Sequence, residues 1–167
     1  MPNPLDAYHE AGHAVAALAW GKSVDRLSIQ PDLRRQGYGE MKNSVHGPLK
    51  ESVELELRIL LGGILAEERF RSTSTDSKET ASDDSIPSPD TEQDLALVRE
   101  LIEFRSLSPR QEKRFEQRLR DEVDSLFDQP GAWLAVERIA AELLRNTTIT
   151  SRAVRGIFEQ ATRSRRD

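Results

Sequence analysis

The composition of this 167-residue chain excludes several classes of protein. Its 24 basic and 29 acidic residues give a net charge of −5, so the chain lacks the basic surface of a nucleic-acid-binding protein, and we expect no nucleic-acid partner. Because it contains no cysteine, it can form neither a disulfide framework nor a thiolate metal site. A chain of this length can bury about 70% of its unfolded surface, which predicts one domain spanning residues 1–167.

The chain shows no membrane-spanning or secretory segment. No run of 18 apolar residues is present, which predicts that no helix is inserted in a membrane. The first apolar stretch contains Glu10 and two histidines and follows no basic leader, unlike a signal peptide. We therefore expect a cytoplasmic protein.

A helix is predicted over residues 5–20, and it carries the pattern His-Glu-x-x-His at His9, Glu10 and His13. Histidines four residues apart lie one turn apart on the same helix face, so both imidazoles can bind one Zn²⁺. Glu10 can reach a water molecule on the metal without being a ligand, and can act as its general base. A shuffled sequence of this composition would contain roughly 0.005 such matches. The pattern is typical of zinc-dependent hydrolases, most often proteases.

Two short strands are predicted after this helix. Residues 24–29 alternate between apolar and polar side chains, as in a half-buried strand, and residues 36–41 form a second candidate. Glycines allow another chain to approach a strand edge closely, so Gly37, Tyr38 and Gly39 are candidate substrate-binding residues for an extended peptide. The alternative is a hairpin strand with no role in binding. Together the two strands predict a small N-terminal β-sheet.

The second long helix is predicted over residues 48–70, and the pair Gly62-Gly63 inside it indicates tight packing against the first helix. Residues 71–90 are rich in Ser, Thr and Asp and contain few apolar residues, which predicts a mobile acidic loop. After this loop, a helix over residues 91–105 is predicted, with Asp90 as its cap.

The rest of the chain is predicted to be helical. Further helices are expected from Pro109, over residues 133–144, and after Thr150. The predicted fold is therefore α+β and mostly α-helical. It combines a zincin-like helix that carries the His-Glu-x-x-His pattern, a small N-terminal β-sheet and a C-terminal helical bundle.

A catalytic zinc also needs a third protein ligand and an open position for water. Spacing alone leaves three candidate positions: Glu67 or Glu68 near the end of the second long helix, Asp94 at the start of the next helix, and His46 in a loop. Because His46 precedes a Gly-Pro turn, a surface histidine is the usual outcome there. No His-x-x-Gly-x-x-His extension follows His13, so the metzincin pattern is absent.

A family resemblance lies in blocks spread over essentially the whole chain. These blocks are His9-Glu10-Ala11-Gly12-His13, residues 24–29, Gly37-Tyr38-Gly39, Leu60-Leu61-Gly62-Gly63, Ala66-Glu67-Glu68, Asp94-Leu95, residues 136–144 and Thr148-Ile149-Thr150. In this order they resemble the zinc peptidase domain of FtsH-type AAA proteases. In that family an aspartate before a leucine, at the start of the helix after the loop, completes a His-His-Asp zinc site. The resemblance therefore implies Asp94 as the third ligand, with Glu67 and Glu68 as alternatives.

The resemblance also implies an activity and its partners. The family's ATPase domain and membrane anchor precede the peptidase domain, whereas this chain begins eight residues before His9. We therefore expect a stand-alone zinc endopeptidase that cleaves unfolded polypeptides or peptides, unless a separate ATPase or adaptor delivers its substrate. The alternative is a non-catalytic, peptidase-like module that binds proteins or peptides with a structural metal or none. The oligomeric state is left open, because the family forms rings largely through its ATPase portion.

Overall fold

Helices account for most of the chain described by the computed structural model, which covers residues 2–30, 49–74 and 86–163. These residues form six helices and two strands, in the order α1 (Pro4–Ala19), β1 (Arg26–Ser28), α2 (Leu49–Ser74), α3 (Pro89–Glu103), α4 (Pro109–Asp128), α5 (Pro130–Asn146), β2 (Thr148–Thr150) and α6 (Ser151–Arg163). The prediction of a mostly α-helical α+β fold is therefore confirmed. None of the described helices combines the length and the apolar character needed to cross a membrane.

Several predictions fall outside the described residues. The second predicted strand, residues 36–41, is among them. The candidate substrate-binding residues Gly37, Tyr38 and Gly39 lie in that strand, and the candidate ligand His46 lies outside the described ranges as well. These assignments stay predictions.

The two strands pair in a way that the sequence does not predict. β1 and β2 form a two-stranded antiparallel sheet in which Leu27 lies opposite Ile149. Both side chains are buried, so the pairing adds to the core. The partner of β1 comes from the chain between α5 and α6, so the prediction that the sheet lies wholly in the N-terminal part is wrong for this pair. A strand of three residues holds too little of the two-residue alternation for β2 to be recognised in the sequence.

α1, the helix with the His-Glu-x-x-His pattern, packs mainly against α2 and α5. Its buried face consists largely of alanines, which let neighbouring helices approach closely. At the contact with α2, a Cβ atom on Gly62 would lie 2.7 Å from the carbonyl oxygen of Gly12. A side chain on either residue would therefore push the helices apart. The predicted tight packing of Gly62 against the first helix is confirmed.

The acidic loop is shorter than predicted at both ends. α2 continues to Ser74 and α3 already begins at Pro89, so both ends of the predicted loop of residues 71–90 belong to helices. Residues 75–85 lie outside the described part of the chain, so the predicted mobility of the loop stays a prediction.

The start of α3 has a different cap from the predicted one. The hydroxyl oxygen of Ser88 accepts a hydrogen bond from the backbone N–H of Thr91 at 3.2 Å, and Pro89 occupies the first turn. Asp90, the predicted cap, lies inside the first turn, where a carboxylate is favoured by the helix dipole. The cap therefore lies two residues earlier than predicted. The position of the helix start sets the side of α3 on which each following residue lies.

The C-terminal half is helical, as predicted. α4 begins with a capping box in which Ser108 and Gln111 exchange side-chain and backbone hydrogen bonds. α5 begins at Pro130, earlier than predicted. At the start of α6, the hydroxyl oxygen of Thr150 accepts a hydrogen bond from the backbone N–H of Ala153 at 3.2 Å. Because α5 packs against both α1 and α6, it connects the last helix to α1, the helix that carries the motif.

Candidate metal centre

The two histidines of the motif point into the protein. His9 is 1% exposed and His13 is 3% exposed, and their Nε2 atoms lie 3.0 Å apart. The planes of the two rings meet at 88°. The four-residue spacing thus places both imidazoles on one buried face of α1, with the same ring nitrogen of each turned toward the other.

α3 brings a carboxylate to the same place. The Oδ2 atom of Asp94 lies 2.8 Å from His9 Nε2 and 3.0 Å from His13 Nε2. Three donor atoms this close together can all lie about 2.0–2.2 Å from one ion, the range found for zinc bound by histidine and carboxylate. The buried group of His9, His13 and Asp94 could therefore hold a metal ion. We call this group the metal centre.

The second ring nitrogen of His13 fixes the form of its imidazole. Nδ1 lies 2.7 Å from the backbone carbonyl oxygen of Ile59 in α2. A carbonyl oxygen can only accept a hydrogen bond, so Nδ1 carries a hydrogen and donates it. In the neutral ring, Nε2 then has the free lone pair, which points toward the metal centre.

His9 is fixed in the same way by two oxygen atoms. Its Nδ1 lies 3.2 Å from the hydroxyl oxygen of Thr91 and 3.3 Å from Glu67 Oε2. The single hydroxyl hydrogen of Thr91 goes to the Glu67 carboxylate, 2.6 Å away, so both oxygens are left to accept a hydrogen from His9. Nδ1 of His9 therefore also carries a hydrogen, and its Nε2 lone pair also points inward.

These hydrogen bonds leave three acceptor atoms facing one another, which repel unless a cation lies among them. In the metal-free protein a proton on His9 supplies this positive charge. Burial lowers the pKa of His9, but hydrogen bonds to Asp94 and Glu67 outweigh it and raise that pKa to about 10. Burial acts to raise the pKa of Asp94, but His13 and His9 beside it hold that pKa below its usual value. A divalent ion can take the place of the proton.

The alternative third ligands, Glu67 and Glu68, lie elsewhere. Glu67 is 2% exposed and contacts Nδ1 of His9, on the other side of the ring from Asp94. The Glu68 side chain is 56% exposed and lies 3.7 Å from Arg120. Asp94 therefore supplies the carboxylate oxygen of the group, and Glu67 binds the far nitrogen of one of its histidines. Metal-ligating histidines commonly have such a carboxylate partner.

Glu10, the predicted general base, follows His9 in α1 and is half-buried. Burial is the largest influence on its carboxyl group and raises the pKa. His13 and His9 act in the opposite direction, but Asp90 and Asp94 add to the rise, and the net pKa is above the usual value. Among the residues that the structure describes, none donates a hydrogen bond to Glu10.

Gly63 makes room for the imidazole of His13. A Cβ atom at this position would lie 2.6 Å from His13 Nε2, inside the space that the ring occupies. α2 can therefore pass the metal centre at this distance only with glycine at position 63. The two glycines of α2 have different tasks: Gly62 allows the contact with the backbone of Gly12, and Gly63 allows the ring to fit.

Some groups at the site are not predicted from the sequence, namely the carbonyl of Ile59 and the hydroxyls of Ser88 and Thr91. The hydroxyls do leave a pattern, because Ser88, Thr91 and Asp94 are spaced by three residues, which places them along one side of a helix start. The Ile59 carbonyl leaves none, because every residue has a backbone carbonyl.

No protein-family model matches the chain, and a search of curated proteins gives no match either. The resemblance to the FtsH-type peptidase domain therefore stays a prediction based on the sequence blocks given above. The geometry is independent of it. Two histidines and an aspartate that lies far from them in the sequence converge in one buried group that could hold a metal ion.

Proposed function

We propose that this protein is a zinc-dependent endopeptidase that hydrolyses unfolded polypeptides or peptides. His9, His13 and Asp94 would hold Zn²⁺, and Glu10 would act as the general base. One observation carries the proposal. Two imidazole nitrogens and one carboxylate oxygen converge to within 3.0 Å of one another in a buried site, with hydrogen bonds at the far ring nitrogens that leave the lone pairs turned inward.

The donor set supports zinc as the metal. Catalytic zinc sites commonly have three protein ligands, drawn from histidine and carboxylate groups, and keep a fourth position open. Both histidines have an acceptor at Nδ1, which is the outer contact that metal-binding histidines usually make. When bound, Zn²⁺ would polarise the scissile carbonyl group and lower the pKa of water from 15.7 to roughly 7.

Glu10 would handle the protons of the hydrolysis. It adjoins His9 on the same helix but is not one of the three converging donors. The pKa of Glu10 is raised toward neutral pH. A general base transfers protons most effectively when its pKa is close to the pH at which the enzyme works. Glu10 would accept a proton from the attacking water and deliver it to the leaving amide nitrogen, while His9 and His13 keep their Nδ1 hydrogens.

The substrate class is proposed from the family resemblance. An endopeptidase must bind an extended stretch of main chain, and unfolded polypeptides and peptides offer one without prior unfolding. Where the substrate is folded, a separate ATPase or adaptor is the proposed partner.

The test compares the wild type with Glu10→Gln and with Glu68→Gln. Each protein is loaded with Zn²⁺ and its zinc content is measured by mass spectrometry. Cleavage of casein and of a quenched fluorescent peptide is then followed with and without chelator. We expect one zinc per chain in all three proteins, and turnover lowered about 10²–10⁴-fold in Glu10→Gln alone. Glu68 is the matched control, because its side chain is exposed and loses the same charge.

Each outcome separates one part of the proposal from the others. Retained turnover in Glu10→Gln would contradict the role of Glu10. Full zinc occupancy without cleavage by the wild type would favour the non-catalytic peptide-binding module. Equal zinc content in the wild type and in His13→Ala would contradict the metal site itself.

A further inference from the structure

The hydroxyl group of Thr91 bridges the metal centre and a buried carboxylate outside it. Its oxygen accepts from Nδ1 of His9 at 3.2 Å, and its hydrogen is donated to Glu67 Oε2 at 2.6 Å. Thr91 is 5% exposed and Glu67 is 2% exposed, so water does not compete for these bonds. The three groups form a chain of hydrogen bonds that runs from the imidazole through the hydroxyl to the carboxylate.

Several hydrogen bonds hold the Glu67 carboxylate in place at the end of this series of hydrogen bonds. Its Oε1 accepts from Arg71 Nη2 at 2.8 Å and from the backbone N–H of Ser88 at 3.2 Å. Its Oε2 accepts from the Ser88 hydroxyl at 2.7 Å, in addition to Thr91. With donors on both oxygens, the carboxylate cannot rotate away from Thr91 without breaking several hydrogen bonds.

Thr91 also belongs to the helix that carries the third donor. Ser88, Thr91 and Asp94 follow one another at intervals of three at the start of α3. Ser88 and Thr91 contact Glu67 on α2, and Asp94 faces both histidines of the metal centre. A change at Thr91 therefore acts both on the ring of His9 and on the first turn of α3.

We propose that Thr91 is a positioning residue of the metal centre. Its hydroxyl, bridging His9 and Glu67, fixes the orientation of the His9 ring with hydrogen on Nδ1, and it holds α3 where Asp94 meets the metal. Thr91 is not one of the three side chains of the metal centre and acts through His9 and Asp94. This inference rests on the metal site of the proposed function and is independent of whether that site cleaves peptides.

Two substitutions separate the hydrogen bonds of Thr91 from its shape. Valine keeps the shape of threonine and removes the hydroxyl, whereas serine keeps the hydroxyl and removes the methyl group. In Thr91→Val, the one acceptor left for the Nδ1 hydrogen of His9 within the described part of the chain is Glu67 Oε2, 3.3 Å away. To shorten that bond the ring must turn, and its Nε2 then no longer points at the metal.

The first experiment measures zinc affinity by competition with a chromophoric chelator. We expect the Kd for Zn²⁺ to rise about 10- to 100-fold in Thr91→Val, the range found for outer partners of metal ligands, and by less than about threefold in Thr91→Ser. The control is Thr162→Val, which removes a hydroxyl that donates to the carbonyl of Phe158 within α6. Its zinc affinity should equal that of the wild type.

The second experiment observes the ring directly. Long-range proton–nitrogen NMR spectra of the zinc-loaded wild type should show His9 with hydrogen on Nδ1 and none on Nε2. In Thr91→Val the His9 signals should shift or broaden, and in Thr91→Ser they should stay in place. If Thr91 only stabilised the helix start, its loss would lower the stability of the metal-free protein, but would leave the His9 spectrum and the zinc affinity unchanged.

Equal zinc affinity in the wild type and in Thr91→Val would overturn the inference. So would a zinc-loaded wild type in which Nδ1 of His9 carries no hydrogen, and that result needs no variant to fold. A wild type that binds no zinc would contradict the proposed function and this inference together. Zinc binding without peptide cleavage would contradict the peptidase proposal alone.

Discussion

Two clusters of charged groups join α2 to its neighbours, and they are built in opposite ways. The first is the metal centre with its partner Glu67, whose side chains are between 2% and 11% exposed. The second, which we call the outer cluster, has side chains that are between 15% and 48% exposed and connects α2, the turn after α3, and α4. Its members are Glu54, Arg58, Arg105, Arg118 and Glu122.

In the outer cluster every carboxylate has a guanidinium beside it, and its three arginines outnumber its two glutamates. Arg58 Nε lies 2.7 Å from Glu122 Oε2, and Arg105 Nη1 lies 3.2 Å from Glu54 Oε1, so each carboxylate faces a guanidinium. The carboxylate of the metal centre has no guanidinium among its contacts given above: it lies beside two imidazoles, and the lone pairs of all three groups face one another. Buried acceptor atoms that have no cationic side chain beside them therefore indicate a cation site better than the number of charged groups does.

Replacing one of the three proposed metal ligands should have the largest effect on zinc affinity. In Asp94→Asn the zinc affinity should fall by more than about 100-fold, beyond the range for outer partners, because a ligand itself is lost. The wild type at a zinc concentration of about 1,000 Kd should gain about 4 kcal/mol of unfolding free energy, and at the same zinc concentration this gain should fall below about 1.4 kcal/mol in the variant. Chelator competition and urea unfolding with and without Zn²⁺ measure the two quantities.

The matched control for Asp94→Asn is Asp121→Asn. Asp121 lies in α4 and accepts a hydrogen bond from the side chain of Gln117. Its substitution removes the same charge and should leave the zinc affinity unchanged. A zinc-dependent gain of about 4 kcal/mol that persists undiminished in Asp94→Asn would show that the ligands of the metal centre have been misassigned.

A change in the space beside the metal centre should have the next largest effect. In Gly63→Ala the new methyl group would lie 2.6 Å from His13 Nε2, so the ring or the helix must move. We expect a loss of about 1–3 kcal/mol in the unfolding free energy, as for other overpacked sites, together with weaker zinc binding. The control is Gly156→Ala in α6, where an added Cβ meets nothing within 4 Å and helix propensity should add up to about 1 kcal/mol. Equal stability of the two variants would contradict the tight fit of His13.

The imbalance of the metal centre should also make it sensitive to pH. The pKa of His9 is raised from 6.5 to about 10, so in the metal-free protein the stability that its proton contributes is complete below about pH 6.5 and is lost as the pH rises through about 10. Because zinc must displace this proton, its affinity should rise about tenfold per pH unit between about pH 6.5 and pH 8, or about 1.4 kcal/mol per unit. Chelator competition across that range measures the slope. A flat profile would mean that His9 holds no proton for zinc to displace.

How much of the site the sequence reveals depends on the distance along the chain. His9, Glu10 and His13 lie within one helix, so their spacing alone predicts that two imidazoles share a face. Asp94 lies 85 residues from His9, and only the family resemblance, not the spacing, singles it out. Glu67 looks equally suitable as a ligand in the sequence, because nothing there shows which ring nitrogen it will meet.

The fold follows the same rule. The helices are predicted from local patterns and caps, and their existence is confirmed where the chain is described. The pairing of Leu27 with Ile149 joins segments far apart in the sequence and is not predicted, because register between distant short strands is set by the packing of the helices around them. Thr91 escaped prediction for a similar reason, since its role depends on a carboxylate from another helix.

Breaking a pair in the outer cluster should have the smallest effect. Glu122→Gln removes the negative charge that lies 2.7 Å from Arg58 and 2.9 Å from Arg118. Arg58 keeps a second carboxylate, Glu54, at 3.5 Å and lies over the ring of Trp20. Because partly exposed ion pairs are screened by water and salt, we expect a loss of less than about 1 kcal/mol in the unfolding free energy, and a smaller loss in high salt.

Urea unfolding of the zinc-free wild type and Glu122→Gln, at low and high salt, measures this loss. Zinc affinity should be the same in both proteins, because the outer cluster shares no residue with the metal centre and its guanidinium groups leave no need for an added cation. A loss above about 3 kcal/mol, the size reported for breaking buried ion pairs, would mean that the outer cluster behaves as a buried network. Burial would then no longer distinguish the two clusters, and the contrast would rest only on the guanidinium groups that lie beside the carboxylates of the outer cluster.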